Sequence, residues 1–394
     1  MAPARAAETC NKAPIYKKCV IIGNGPCGLA LSYILSGNIP YIKADATHPN
    51  EELNWKISYL QDDLSLLEQD ISFLASGLGG RSKNIYPLIF DALFHPNADV
   101  GYDVDPLIDF KHQPEMALSH VVIGKGEPGG SWQNIAQSSH QARTLSYGHW
   151  LELPGYSFEE FKLKNNILAK RDRVCLQYIS QYYKDYPRET NIASNVLNNS
   201  TVTSVIKLPR SLGKRRGKRS NHCEWQVMGY TLNDGIISYF TYITNNVVLA
   251  TGVNDIPNRL GIIDKNPLNL PYESFELSEL VQISPQKECL VRTSDRGDVR
   301  VNVSLVFLLL GAQPDLDFLI NISPSNILRH SYLEFNAKSN PVDIDQTSHE
   351  VSSESGMYSI GPLVGDNFVR FGIGGSLAIS KALHRTMLKR VQII

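Results

Sequence analysis

Gly23-Asn24-Gly25-Pro26-Cys27-Gly28 spaces three glycines as GxGxxG. The residues leading into it, Lys18–Gly23 (KCVIIG), form a short apolar run of the kind that makes a buried parallel strand. The residues that follow, Pro26 to Leu35, read as a helix. A glycine loop between strand and helix can hold a pyrophosphate. The first glycine permits the tight turn, the second lets a phosphate approach the backbone, and the third lets helix and strand pack closely. Free N–H groups and the positive helix end then meet the negative charge. An acid about 20 positions further on should bind a ribose hydroxyl. Asp45 stands 17 residues after Gly28, at the end of a second short strand, Pro40–Lys43. Gly23, Gly25, Pro26, Gly28 and Asp45 are thus the candidates for a nucleotide site. Cys27 lies at a helix N-terminus, where a thiol can become reactive. It has no CxxC partner, and a bound pyrophosphate would crowd it.

Three further segments follow in order. Gly129-Gly130-Ser131-Trp132 comes just after an apolar run, His120–Gly124. Ala250-Thr251-Gly252 ends another run, with Asp255-Ile256-Pro257 behind it. Gly361-Pro362-Leu363-Val364-Gly365-Asp366 precedes a last helix that opens near Gly374. A lone GG or ATG is common, but this set in this order behind a GxGxxG points to FAD. Gly372-Ile373-Gly374 opens a terminal helix with no βαβ unit after it, so it is not a second nucleotide loop. Trp132 is equally readable as a core aromatic, and Asp366 has the alternative of capping the last helix.

These segments need elements to hold them. Between the second strand and GGSW, residues 48–118 read as an inserted helical stretch. Leu64, Leu67, Ile71 and Leu74 fall on one face of a helix spanning Asp62–Ser76, and a second helix covers Ile85–Phe94. Residues 125–156 read as loop, followed by a helix around Asp172–Asp185. Thr201–Leu208, Cys223–Leu232 and Ile236–Ile243 read as an antiparallel meander. Lys214, Arg215, Arg216, Lys218 and Arg219 sit in its first turn, where solvated charge is expected and a targeting signal is the alternative. Asn246–Gly252, Arg300–Leu310 and Met357–Gly361 read as strands and Gly374–Lys389 as a final helix.

Composition narrows the rest. Among 394 residues, Lys+Arg 38 against Asp+Glu 39 leaves a net charge of −1, so no nucleic-acid partner is expected. No apolar run approaches the roughly 20 residues of a spanning helix, and Met1 to Lys18 has no signal-like apolar region. Six scattered cysteines without a CxxC pair favour a cytoplasmic, or alternatively nuclear, setting. The ten histidines show no metal spacing, so no metal site is expected. His149 has a catalytic reading, although a hydrogen-bonded core histidine is the commoner case.

Over the span from about Val20 to about Leu388, the chain resembles the oxidative stress-induced growth inhibitor family, a branch related to the flavin-containing monooxygenases. The matching segments are GNGPCGLALSYILSG (23–37), GGSW (129–132), TLSYGHWLELPG (144–155), VSLVFLLLGAQPDLDFL (303–319) and GMYSIGPLVGDNFVRFGIGGSLA (356–378). The resemblance implies an α/β, FAD-binding Rossmann-like fold of the two-dinucleotide-binding-domain type. It also implies NADPH-dependent monooxygenase chemistry carried by the flavin, and a family role in growth and stress response. By that resemblance Gly23, Gly25 and Gly28 hold the pyrophosphate and Asp45 the adenosine ribose. Gly130, Ser131 and Trp132 line the flavin side, with Thr251 and Gly252 nearby. Gly365-Asp366 meets a ribityl hydroxyl, and the helix near Gly374 faces the pyrimidine edge. The catalytic residues and the small-molecule substrate are not readable, and protein partners are an open alternative.

Such enzymes carry a second glycine fingerprint for NADPH between the ATG and GD segments. Residues 253–364 contain none, and a full domain of about 100 residues does not fit beside the linkers and strand they must supply. The expected organisation is a lead-in at 1–17, an FAD domain at 18–252 with its insertion (48–118) and meander (201–243), a linker or NADPH-domain remnant at 253–299, and the C-terminal part of the FAD domain at 300–394. Catalytic turnover is thereby in question. A catalytically impaired FAD-binding regulator, or an interaction protein with a vestigial nucleotide fold, is the alternative.

Overall fold

Alternation along a single strand organises the core. In β1 (Ile15–Ile22), Val20 and Ile22 point into one apolar cluster while Cys19 and Ile21 point into another. A strand buried on both faces needs apolar residues at every position, hence the unbroken CVII run. The computed structural model describes residues 13–61, 63–101, 104–138, 142–168, 173–209, 224–258, 279–285, 288–293, 297–302 and 311–391. The basic cluster at 214–219, most of the VSLVFLLLG segment and the first twelve residues lie outside these.

Helix α1 (Pro26–Leu35) follows β1, with Pro26 supplying the preset φ that suits a first turn. It is buried from Gly28 to Leu35. β2 (Asn38–Ile42) comes next, and then the inserted helices α2 (Glu51–Ile57), α3 (Ile71–Ala75) and α4 (Ile85–Phe94). The helix expected over Asp62–Ser76 is confined to its last turn. Asp70 accepts a hydrogen bond from the Phe73 N–H and so starts a helix there. Gln69 donates to the Gln61 and Leu64 carbonyls, holding the residues before it as turns. β3 (Ile108–His112) returns antiparallel to β2, and β4 (His120–Ile123) follows.

The stretch expected as loop, 125–156, contains α5 (Ser131–Ser138), and α6 (Phe158–Lys164), opened by a Ser157–Glu160 capping box, follows it. α7 (Leu176–Glu189) holds that stretch in place. The buried Tyr182, Tyr183 and Tyr186 hydroxyls donate to the carbonyls of Tyr156, Leu151 and Pro154 at 2.5, 2.7 and 2.5 Å. β5 (Val196–Leu197) leads to the meander of β6 (Ser200–Leu208), β7 (Glu224–Asn233) and β8 (Ile236–Leu249). The two strands expected at 236–252 form one 14-residue strand, whose first half pairs antiparallel with β7 and whose second half pairs parallel with β1.

One unit comprises residues up to Asp255 together with Pro314–Ile394, and the second comprises Ile256–Gln313. The second holds β9 (Ile256–Pro257), the antiparallel trio β10 (Glu279–Ile283), β11 (Glu288–Thr293) and β12 (Gly297–Asn302), and β13 (Ala312–Gln313), which pairs with β9. Among its described residues there is no parallel strand pair and no glycine-loop helix. The first unit closes with β14 (Met357–Ser359), the short α8 (Val369–Gly372) and α9 (Gly375–Val391). Its seven-stranded sheet runs β5-β4-β1-β8-β7-β6, with β14 also on β8. The β5, β4, β1, second-half β8 and β14 segments are all parallel, so their carboxyl ends share one edge.

Candidate functional site

The loops leaving that edge converge. The Gly23 N–H donates to the Ile123 carbonyl at 2.8 Å, the Ala250 N–H to Ile22 at 2.8 Å, and the Ile360 N–H to Leu249 at 3.1 Å. Gly23 has φ +119°, and a Cβ on it would lie 2.2 Å from the Ala250 carbonyl oxygen. A Cβ on Gly28 would lie 2.0 Å from the Gly23 oxygen. Both positions are closed to side chains by backbone. Gly25 differs, because a Cβ there would meet nothing within 4 Å. It is the N-cap of α1, makes no side-chain cap and has no acid in the helical turn beyond it. The first N–H groups of α1 therefore end in an open, positive notch.

The GGSW turn closes one side of the notch. Gly130 has φ +59°, and a Cβ on it would stand 3.2 Å from Gly25 Cα. The Gly129 N–H donates to the Asn24 carbonyl at 2.8 Å. Ser131 then begins α5. Trp132 is half-buried with its ring centroid 6.0 Å from that of Tyr183, at the border of the main core. Thr251 follows β8 against Gly23, and its Oγ1 is buried without a hydrogen-bond partner. Gly252, at φ +70°, has open space where a Cβ would be.

The C-terminal segment comes in through Cys27. Its Sγ fills the space beside Gly361 and Gly372, where Cβ atoms would approach to 2.7 and 2.9 Å. Burial, reinforced by the Asp366 carboxylate, pushes this thiol up to about 12, so it is a packed thiol and not a reactive one. Gly365 ends a 3₁₀ turn at φ +96°. Asp366 is 2% exposed, and burial raises its carboxyl to about 6 against the opposing effect of two hydrogen bonds. Those bonds come from the Ser82 hydroxyl and, at 2.9 Å, from Asn84 Nδ2. Asn84 heads α4 yet makes no cap, since its side chain serves Asp366. Asp366 likewise caps no helix, because the residue before α8 is Phe368.

Two candidates stand apart from this convergence. Asp45 is exposed after β2, and β2 forms a ribbon with β3 outside the parallel sheet. The strand beside β1 is instead β4, with the insertion between, so Asp45 does not end the second strand of the nucleotide sheet. Gly374 lies against α4, where a Cβ would come within 2.6 Å of Pro87 Cα and 3.0 Å of Phe90 Cβ. Its smallness serves helix packing there.

Sequence reasoning misses Ser82, Asn84, Asn24 and Arg370. Arg370 is buried, pairs with Asp91 at 3.1 Å and Asp99 at 2.9 Å, and lies 4.6 Å from the Trp150 ring centroid. Only Ser82 and Asn84 carried a signal, as polar residues just before a helix start. His149 stacks on Tyr147 at 5.8 Å and lines a cavity of about 260 Å³ with His95, Glu152 and Phe158. Burial lowers its imidazole to about 4, so it is neutral at pH 7. Among the described residues, no group of three or more His, Cys, Asp or Glu is placed to hold a metal, and no helix is long and apolar enough to cross a membrane.

The parallel edge, the glycine loop and the open helix end define an α/β protein with a Rossmann-like parallel-sheet core, a helical insertion and a meander. Bacillithiol disulfide reductase Bdr (YpdA) from Staphylococcus aureus shares the fold, with a TM-score of 0.50, 12% identity, and coverage of 94% of this chain and 99% of that one. No protein-family model matches the chain. The chain belongs to the oxidative stress-induced growth inhibitor family. It is 30% identical to oxidative stress-induced growth inhibitor 2 of Homo sapiens over 94% of each chain, and 30% identical to oxidative stress-induced growth inhibitor 1 of Mus musculus over 92% of this chain and 94% of that one. The alignment with the human relative runs over 479 residues, whereas this chain has 394, so the relative carries intervening sequence absent here.

Proposed function

We propose that the chain binds FAD at the Gly25 notch and has lost the domain that would deliver NADPH to it. The observation that carries this is the open N-terminus of α1, walled by Gly130 and left free of any side-chain cap. The unpartnered Thr251 Oγ1 supports a missing polar ligand at the same edge. FAD, when bound, supplies redox and oxygen chemistry that no protein side chain offers. In this reading Gly23, Gly25, Pro26 and Gly28 form the turn and first helical residues that face the pyrophosphate, with the backbone N–H groups of Gly25 and Gly28 directed at it. Gly130, Ser131, Trp132, Thr251 and Gly252 border the flavin half, and Asp366, held by Ser82 and Asn84, accepts a hydroxyl hydrogen bond. The sequence between Gly252 and Pro314 supplies no second fingerprint. A flavin monooxygenase of this kind would then depend on another reductant, and a flavin-binding regulator of growth without turnover is the second reading. The scattered cysteines support a cytoplasmic setting.

The test is the visible spectrum of purified protein after incubation with FAD and removal of the excess. We expect about one flavin per chain. Protein that stays colourless contradicts the proposal.

A further inference from the structure

In a dinucleotide fold, an acid after the second parallel strand reads the ribose 2′-hydroxyl and repels a 2′-phosphate. Here the strand beside β1 is β4, and the residue following it is Gly124. A Cβ on Gly124 would stand 1.9 Å from Asn24 Cγ, so the place of the acid is already filled by the Asn24 amide. Asn24 is 2% exposed. Its Nδ2 donates to the Gly126 carbonyl at 2.8 Å and to Asn198 Oδ1 at 3.0 Å. Asn198 follows β5, the next parallel strand outward, and is half-buried. With its carbonyl taken by Asn24, Asn198 offers Nδ2, which donates to no described residue. The charged groups along this edge are paired. Lys125 meets Asp255 at 3.2 Å and Asp315 at 3.0 Å, and Glu127 lies 3.8 Å from Lys184. Asp45 is off the sheet.

We propose that this site reads the adenosine ribose through Asn198, held in place by Asn24, with no carboxylate, and so accepts an adenosine diphosphate without selecting its 2′ substituent. The inference rests on the nucleotide reading of the Gly25 notch. An amide donor can serve a hydroxyl oxygen or a phosphate oxygen, whereas a carboxylate accepts from the first and rejects the second.

The experiment is displacement of FAD, followed by flavin fluorescence, with ADP, 2′-deoxy-ADP and 2′-phospho-ADP as competitors. We expect the three to displace FAD within about threefold of one another, since a single amide N–H faces the 2′ position and no carboxylate there repels a phosphate. Asn198→Asp is expected to weaken 2′-phospho-ADP by roughly tenfold against ADP. Asp45→Ala, which removes the acid suggested by sequence, is expected to leave the ratios unchanged. A wild-type protein that loses about tenfold with 2′-deoxy-ADP, or whose discrimination vanishes with Asp45→Ala, overturns the inference. If FAD binds but ADP does not displace it, the adenosine site is elsewhere and the inference fails. If FAD does not bind at all, the nucleotide reading itself fails.

Discussion

Gly25 and Gly28 share one motif but meet different surroundings, and substitution should separate them. An added methyl on Gly28 meets the Gly23 carbonyl, a backbone atom that cannot step aside. Gly28→Ala should destabilise the protein by about 1–3 kcal/mol, seen as a lower melting temperature. Gly25→Ala meets open space, so its melting temperature without FAD should stay near wild type while FAD affinity falls. Equal loss of stability in the two variants would contradict this distinction. Asp366 gives a second prediction. Its carboxyl is raised to about 6 in the folded state by burial. Between about pH 4 and pH 6 the folded chain keeps a proton that the unfolded chain has released, so stability falls as pH rises through that window. The effect approaches about 3 kcal/mol at neutral pH. Asp366→Asn should flatten this segment of the stability–pH curve, measured by urea unfolding of the FAD-free protein. Parallel curves for wild type and variant would show that the group does not carry the effect.

Among the elements, the glycine loop with its strand and helix was legible because its signal is local. Gly23 to Leu35 contains the turn, the cap and the helix in thirteen residues. Asp45 misleads for a physical reason. A short apolar strand ending in an acid looks the same whether it joins a parallel sheet or a two-stranded ribbon. The insertion placed such a ribbon between β1 and its true neighbour β4. The turn holding Asp366 was legible as a GD motif, but its support by Ser82 and Asn84 spans more than 280 positions and leaves no local trace. The same holds for Arg370, which joins α8 to α4 through Asp91. Arg370→Met strands two carboxylates and should cost about 3–5 kcal/mol. Arg370→Lys should recover only part of that, since an ammonium cannot bridge Asp91 and Asp99 in a planar fork. Thermal unfolding of both variants checks this, and a full rescue by lysine would argue against the bridging role.

For the whole molecule, the length matters most. The first unit, with its insertion, meander and C-terminal helices, accounts for everything outside Ile256–Gln313. That second unit shows only short antiparallel strands among its described residues. In the proposed reading the parallel edge holds a flavin and the second unit offers it no nicotinamide site. The decisive measurement is the anaerobic visible spectrum of FAD-loaded protein before and after addition of NADPH. The expected result is a bound, oxidised flavin whose absorbance persists on the timescale of seconds to minutes and bleaches with dithionite. Rapid bleaching by NADPH would contradict the loss of the NADPH site.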